Sequence, residues 1–321
     1  MSRSSTLLIL ALLVTAVVAG RERHTIDTVR LLFTGDILLS REVEVELQHR
    51  KVSPWTNFTG LFRDADWVGG NFEGALGTGS RCIVKNSPCF ATPESSVQLL
   101  KQAGFHGVTI ENNHAGDLGR AGREHTRTLF QQAGLMTLDF DNSPQLLRLG
   151  QTTIAFLAIT TIPAADGRVQ QVPSADVAEK LGLARQQANV VVVSIHWGAE
   201  FLRIPDSSQQ TQARWLVEHG ADLIVGHHPH VIQSPECVEG KPVFFSLGNH
   251  VFDEVYPTTK EGLIADCRLQ NGRMRCHGIR TRTERGTSIP TLVAHDHTVN
   301  AVLGGCAPRV SASLVTKESF R

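Results

Sequence analysis

The sequence predicts an α/β fold, and three observations carry that prediction. From residue 29 to about residue 250, short apolar runs alternate with stretches of helical periodicity, the order that builds a parallel sheet with helices on its faces. The run Val190-Val191-Val192-Val193-Ser194-Ile195 is β-branched almost throughout, as a central strand buried on both faces is. Several of the apolar runs end in Asp, Glu, Asn or His, and open α/β sheets gather their ligand groups at strand C-terminal ends.

Val29 to Thr34 reads as a buried strand that ends at Gly35-Asp36. Asp36 has two roles open to it. It is a ligand just past the strand, or the N-cap of a helix within Ile37 to Arg50, where the periodicity is mixed. Asp66 to Phe72 is a second strand running into Glu73-Gly74, and Asn71 and Glu73 face one side if the chain stays extended. A helix over Pro93 to Ala103 leads to the short strand Gly107-Val108-Thr109-Ile110. That strand runs into Glu111-Asn112-Asn113-His114, where an amide oxygen and an imidazole nitrogen, both ordinary ligands of first-row metals, sit side by side. Capping the helix from Ala121 to Ala133 is the other role for these polar residues.

Met136 to Phe140, Leu146 to Leu149 and Thr153 to Thr160 are further strands, followed by a loop with Pro163, Gly167 and Pro173 and a helix over Asp176 to Ala188. The Val190 strand ends in His196-Trp197-Gly198, a polar ring at the end of a buried run. Ser207 to His219 is a helix, and His219 in its last turn suits the helix dipole, which makes it structural. Pro242 to Ser246 is a last parallel-type strand, ending in Leu247-Gly248-Asn249-His250. Beyond Tyr256 the character changes to Arg- and Thr-rich β segments, where His295 and His297 read as a surface strand.

The densest cluster is Gly226-His227-His228-Pro229-His230, directly after the apolar run Asp222-Leu223-Ile224-Val225. Neutral imidazole is the commonest metal-ligating side chain, and three of them in so few positions are hard to place in a core. In an extended loop His228 and His230 point to one side and His227 to the other, toward packing or a contact behind the ligands.

The chain has 321 residues, 41% hydrophobic and 19% charged, which suits one domain with a substantial core. Lys+Arg and Asp+Glu number 31 each, and a zero net charge gives no reason to expect a nucleic-acid partner. Leu7 to Ala19 is continuously apolar or small. It is shorter than the roughly 20 residues of a membrane span and fits a secretory signal peptide over residues 1–19, with an uncleaved N-terminal membrane anchor as the alternative. A secreted or periplasmic protein is expected, and six cysteines agree with that compartment. Cys82 and Cys89 bracket a short Pro-containing loop. Asn271-Gly272 is a two-residue hairpin signal that sets Gln270 opposite Arg273 and Cys267 opposite Cys276, within disulfide reach. Cys237 and Cys306 are left to pair by elimination.

Six groups stand in a fixed order: Gly35-Asp36-Ile37-Leu38-Leu39, Asn71-Phe72-Glu73, Asn112-Asn113-His114-Ala115, His196-Trp197-Gly198-Ala199-Glu200, Gly226-His227-His228-Pro229-His230-Val231 and Ser246-Leu247-Gly248-Asn249. Together they resemble the CapA family of capsule-synthesis proteins, associated with poly-gamma-glutamate, in the metallo-dependent phosphatase superfamily. The resemblance covers residues 29–256. It implies a metallophosphatase-like layered β-sheet core flanked by helices, with residues 257–321 as a β-rich extension that begins with the hairpin. It further implies a divalent metal (zinc, manganese or iron, one or two ions) held by Asp36, Glu73, Asn113, His196, His228 and His230, with His114 protonating a leaving oxygen. Asn71, Glu200, His227, Asn249 and His250 would surround those ligands. The chain departs from the pattern in four places. Glu73 stands where the superfamily more often has Asp, the first strand lacks its Asp-x-His, Glu111 replaces a small residue and His250 replaces a Phe. Two functions of different class follow. One is an exported metal-dependent hydrolase of the phosphoesterase type, acting on an envelope polymer or a phosphoester. The other is a non-catalytic accessory that binds metal or polymer and holds a membrane polymer-synthase complex.

Overall fold

The computed structural model describes residues 28–85, 87–293 and Cys306. The apolar N-terminal run and the His295/His297 pair lie outside the described residues. Two sheets pack face to face, each built around parallel strands. In the first, Val29–Ile37, Trp67–Phe72, Gly107–Thr109 and Met136–Leu138 run parallel in that order. The C-terminal hairpin, Glu261–Gln270 with Arg273–Thr283, joins antiparallel on the other flank of Val29–Ile37, and Pro290–Leu292 lies outermost. Asn249–Val251 pairs in parallel with the end of Val29–Ile37. The second sheet has Thr152–Thr160, Val190–His196, Leu223–His227 and Lys241–Phe244 in parallel, with Gln145–Leu149 and Glu236–Val238 as antiparallel edges.

Strand alternation sets the layers. Leu31 and Phe33 turn inward to meet Phe156, Val192, Val225 and Phe244 of the second sheet. Leu32, Val68 and Val108 turn outward against Val43, Leu100 and Phe130 of the helices Arg41–Arg50, Ser96–Ala103 and Gly119–Gln132. Val191, Val193 and Ile224 face Leu181 and Leu216 of the helices Ala175–Gln187 and Ser207–Glu218. The result is a helix–sheet–sheet–helix sandwich.

Asp36 is not a helix cap. The strand runs on to Ile37, the Asp36 N–H donates to the Gly248 carbonyl at 3.0 Å, and the helix begins only at Arg41. The cause is local: a Cβ at position 35 would meet the Gly248 oxygen at 1.9 Å, so only glycine lets the two backbones approach and keep the strand paired.

In the C-terminal hairpin Gln270 faces Arg273 and Cys267 faces Cys276, whose Cα atoms are 4.1 Å apart and whose sulfurs are bonded. Cys82–Cys89 and Cys237–Cys306 are also bonded, the last tying the edge strand Glu236–Val238 to Cys306, and no cysteine is free. Three disulfides fit an oxidising, extracytoplasmic compartment. Among the described residues no helix is long and apolar enough to cross a membrane.

Candidate metal centre

The parallel strands of both sheets deliver their last residues to one edge. From the first sheet come Asp36, Asn71 and Glu73, then Asn113 and His114 in the turn after Gly107–Thr109. From the second come His196 and His227, each the last residue of its strand, and then His228 and His230. Asn249 arrives on its own short strand. Asp36, Asn71, Glu73, His196, His227, His228, His230 and Asn249 are all buried.

Asp36 lies at the middle of this network. Its Oδ1 accepts from Asn71 Nδ2 at 2.8 Å and lies 3.2 Å from His227 Nδ1. Its Oδ2 lies 3.4 Å from His230 Nδ1 and accepts the His228 backbone N–H at 3.3 Å. His230 Nδ1 also meets Asn249 Oδ1 at 2.9 Å, which leaves Nε2 toward Glu73 Oε1 at 3.6 Å. His196 Nε2 lies 2.8 Å from Asn113 Oδ1 and 4.0 Å from Glu73 Oε1. The His227–His230 turn is not extended. His228 and His230 have φ of 96° and 57°, and this left-handed backbone, costly for a non-glycine residue, aims both rings at the carboxylates. His227 ends its strand with its ring against Asp36, the contact behind the ligands that was one of its two expected places.

Two overlapping triads have ligand atoms within 4.8 Å of one another: Glu73, His228 and His230, and Asp36, Glu73 and His196. Glu73 Oε1 and His228 Nδ1 are buried without a hydrogen-bond partner. An orphaned buried polar atom costs about 1–3 kcal/mol, and a cation that accepts both lone pairs relieves it. Mixed carboxylate and imidazole donors suit a divalent first-row metal, so the residues present fit such an ion.

The charges follow from burial and from the neighbours. Burial pushes the Glu73 carboxyl well above the usual carboxylate range against the pull of His230, and Asp36 adds to the rise. Burial also opposes ionisation of Asp36, but hydrogen bonds and charge from His227 and His230 outweigh it and hold that carboxyl well below its usual value. His230, despite its burial, is raised to about 10 by Glu73 and Asp36. Burial, with the charge of His230, takes His228 down to about 3, and burial first of all holds His196 well below its ordinary value. His196 and His228 are therefore neutral and ready to ligate, whereas the Glu73–His230 pair holds a proton that a cation must displace. Cation binding is expected to release protons and to weaken as pH falls. Calorimetric titration in two buffers of different ionisation enthalpy reads this directly, and identical apparent enthalpies in both would overturn it.

His114 stands beside the ligands. Its Nδ1 meets Asp117 Oδ2 at 2.9 Å, and its ring stacks on Phe90 at 3.6 Å. The same Asp117 oxygen accepts the Phe90 N–H at 2.7 Å, so one carboxylate fixes both rings. Asp117 lies in the turn before the helix Gly119–Gln132. Its spacing, three residues after His114 and within that turn, was the available signal. Asn112 is a brace: its amide donates to Asn71 Oδ1 and Phe72 O, and its oxygen accepts from the backbones of His114 and Ala115. Glu111 belongs to another network, bonded to Gln170 and the Phe140 N–H and 3.6 Å from Arg168. Glu200 is exposed and acts on Glu73 as a like charge.

His250 does not face the ligands. Its ring packs on Phe58 and Phe62, with centroids 5.0 and 6.5 Å away, and neither ring nitrogen has a hydrogen-bond partner. Burial takes its pKa down to about 3. The unfolded chain, with an imidazole near 6.5, binds the proton first, so stability is lost as pH falls from about 6.5 toward 3. His250→Phe is expected to raise the melting temperature, and to raise it more at about pH 5 than at about pH 8. An equal shift at both pH values would remove protonation of this ring as a source of acid sensitivity.

A helix-flanked double sheet with a histidine- and carboxylate-lined edge defines a metallophosphatase-like fold. A solved structure described as a novel phosphatase, from Mycoplasma pneumoniae, matches with a TM-score of 0.57 over 81% of this chain and 96% of that one, at 12% identity, a likeness of fold alone. Residues 30–254 match the family described as bacterial capsule synthesis protein PGA_cap, and the chain belongs to that family. It is 32% identical over 266 residues to the PGA biosynthesis protein CapA of Bacillus subtilis, covering 78% of this chain and 70% of that one. It is 27% identical over 310 residues to the capsule biosynthesis protein CapA of Bacillus anthracis, covering 88% and 74%. A probable polyglutamine synthesis accessory protein of Mycobacterium tuberculosis is 20% identical over 287 residues, covering 71% and 75%.

Proposed function

We propose that this protein is exported and acts in capsule or cell-wall polymer biosynthesis, of the poly-gamma-glutamate type, through a metal-dependent phosphoesterase-like hydrolase site. The names of its relatives support the polymer role. The observation that carries the hydrolase reading is Glu73, fully buried, with an unpartnered oxygen and a place in both triads. Asp36, Glu73, Asn113, His196, His228 and His230 would hold one or two ions of zinc, manganese or iron. Bound there, such an ion supplies Lewis-acid polarisation of a phosphoryl oxygen and acidifies a water.

The chain's own residues do the rest. Asn71 orients the Asp36 carboxylate, and Asn249 fixes the His230 ring so that Nε2 faces Glu73. Asp117 and Phe90 hold the His114 ring, and His114 Nε2, free of hydrogen bonds to the described residues, holds the proton that passes to the leaving oxygen. The signal peptide over residues 1–19 carries the chain out of the cell, and the three disulfides fit that destination. The substrate is then an envelope polymer or phosphoester, met near a membrane polymer-synthase complex.

Purified protein loaded separately with zinc, manganese(II) and iron(II) is tested on p-nitrophenyl phosphate, bis-p-nitrophenyl phosphate and a γ-glutamyl anilide. Cation-dependent release from a phosphoester is the expected result. Cation binding without turnover on any of the three supports the accessory reading instead, which the printed name of the mycobacterial relative favours.

A further inference from the structure

The first sheet carries a second charged feature at the end opposite the metal centre. Arg30 is the register partner of Arg268, and Arg268 of Arg275, so three guanidinium side chains stand in one row across three strands on one face. Like charges directly opposite in a ladder destabilise it. A single buried carboxylate, Asp266, answers them: it lies 2.7 Å from Arg30, 3.5 Å from Arg268 and 3.4 Å from His277. Asp66, whose carboxylate accepts the Arg30 backbone N–H at 2.8 Å, is also at this end. Arg273 and Arg275 are exposed and form no ion pair with any described residue. These groups open on a cavity of about 970 Å³ lined by Arg268, Arg273, Arg275 and His277 and otherwise by neutral polar side chains. A chain of neutral net charge has concentrated unpaired positive charge here.

We infer that this face of the C-terminal hairpin binds an extended polycarboxylate chain of the poly-glutamate kind. Outward residues repeat about 6.8 Å along a strand and about 4.8 Å across strands, so a linear polymer with a carboxylate on each unit meets several arginines at once. Arginine's planar fork matches a carboxylate or a phosphate, and the choice of carboxylate here rests on the polymer role proposed above. Each contact is weak alone, and their linkage along one polymer gives the affinity. Six residues of extended strand, roughly 20 Å, separate Arg30 from Asp36, so the surface and the metal centre are independent and can fail separately.

The test is fluorescence anisotropy of the whole protein with fluorescein-labelled poly-glutamate at low ionic strength. Wild type is expected to bind, with affinity falling as salt rises, and free glutamate at equal carboxylate concentration is expected not to compete. Arg273→Gln/Arg275→Gln, which removes two unpaired exposed charges, is expected to weaken binding about tenfold. Arg148→Gln/Arg214→Gln, which removes the same charge from exposed positions elsewhere, is expected to leave it unchanged. Poly-glutamate should also raise the wild-type melting temperature, and raise that of the hairpin variant less at the same concentration. Equal loss in both double variants, or no binding by wild type, overturns the inference. Binding to phosphatidylglycerol vesicles without binding to poly-glutamate overturns it in favour of a membrane-facing surface.

Discussion

Asp36→Asn and His228→Ala are expected to take the divalent cation content from near stoichiometric in wild type to undetectable by elemental analysis, with the far-ultraviolet circular dichroism unchanged. Asp36 contributes to the triad with Glu73 and His196 and orders the opposite side of the site through His227 and His230. The asparagine keeps its shape and loses the charge that balances a cation. His228 is nearly neutral at any working pH, with its pKa down to about 3, and its Nδ1 has no partner, so its removal takes away a ligand and breaks no hydrogen bond of that ring. His227→Ala is expected to do less, because His227 touches Asp36 and is not in either triad. A loss of about 10- to 100-fold in cation affinity is typical for a residue that orients a ligand. Wild type that stays metal-free after incubation with zinc, manganese and iron in turn would overturn the metal centre.

His114→Ala is expected to lower phosphoester turnover by about 10²- to 10⁴-fold, the usual contribution of a positioned proton donor, with cation content unchanged. The loss should fall on kcat and should be smaller for a leaving group as acidic as p-nitrophenol than for an alkyl one, which needs the proton more. Asp117→Asn should reproduce part of the loss, since the amide can no longer hold the His114 tautomer through Nδ1. An alanine variant as active as wild type on an alkyl phosphoester would remove His114 from the chemistry.

Much of this fold was legible locally. The β-branched Val190 run, the alternation of strand and helix, and the polar residues at strand ends depend on period and composition, which each segment carries by itself. The hairpin register of Cys267 with Cys276 follows from the turn type, two residues away from the strands it joins. The His227–His230 cluster announced itself by density, although its left-handed backbone did not. The bracing role of Asn112 was not legible, because it depends on what its side chain meets rather than on what type it is. His250 is the sharpest case: a neighbour of Asn249 in the chain, it points into an aromatic core while Asn249 bonds a ring of the site.

The sequence by itself determined the class of fold, the order of the strands along the chain and the identity of the groups at their ends. Only the tertiary structure decided which ends meet. Asp36 and His230 are brought together because the two sheets bury one face of each against the other through Phe33, Phe156, Val192 and Val225, with the parallel strands ending on a common edge. That burial is cooperative over nearly two hundred residues. Period and composition act over ten, and so the site's chemistry is written in segments whose assembly they do not specify.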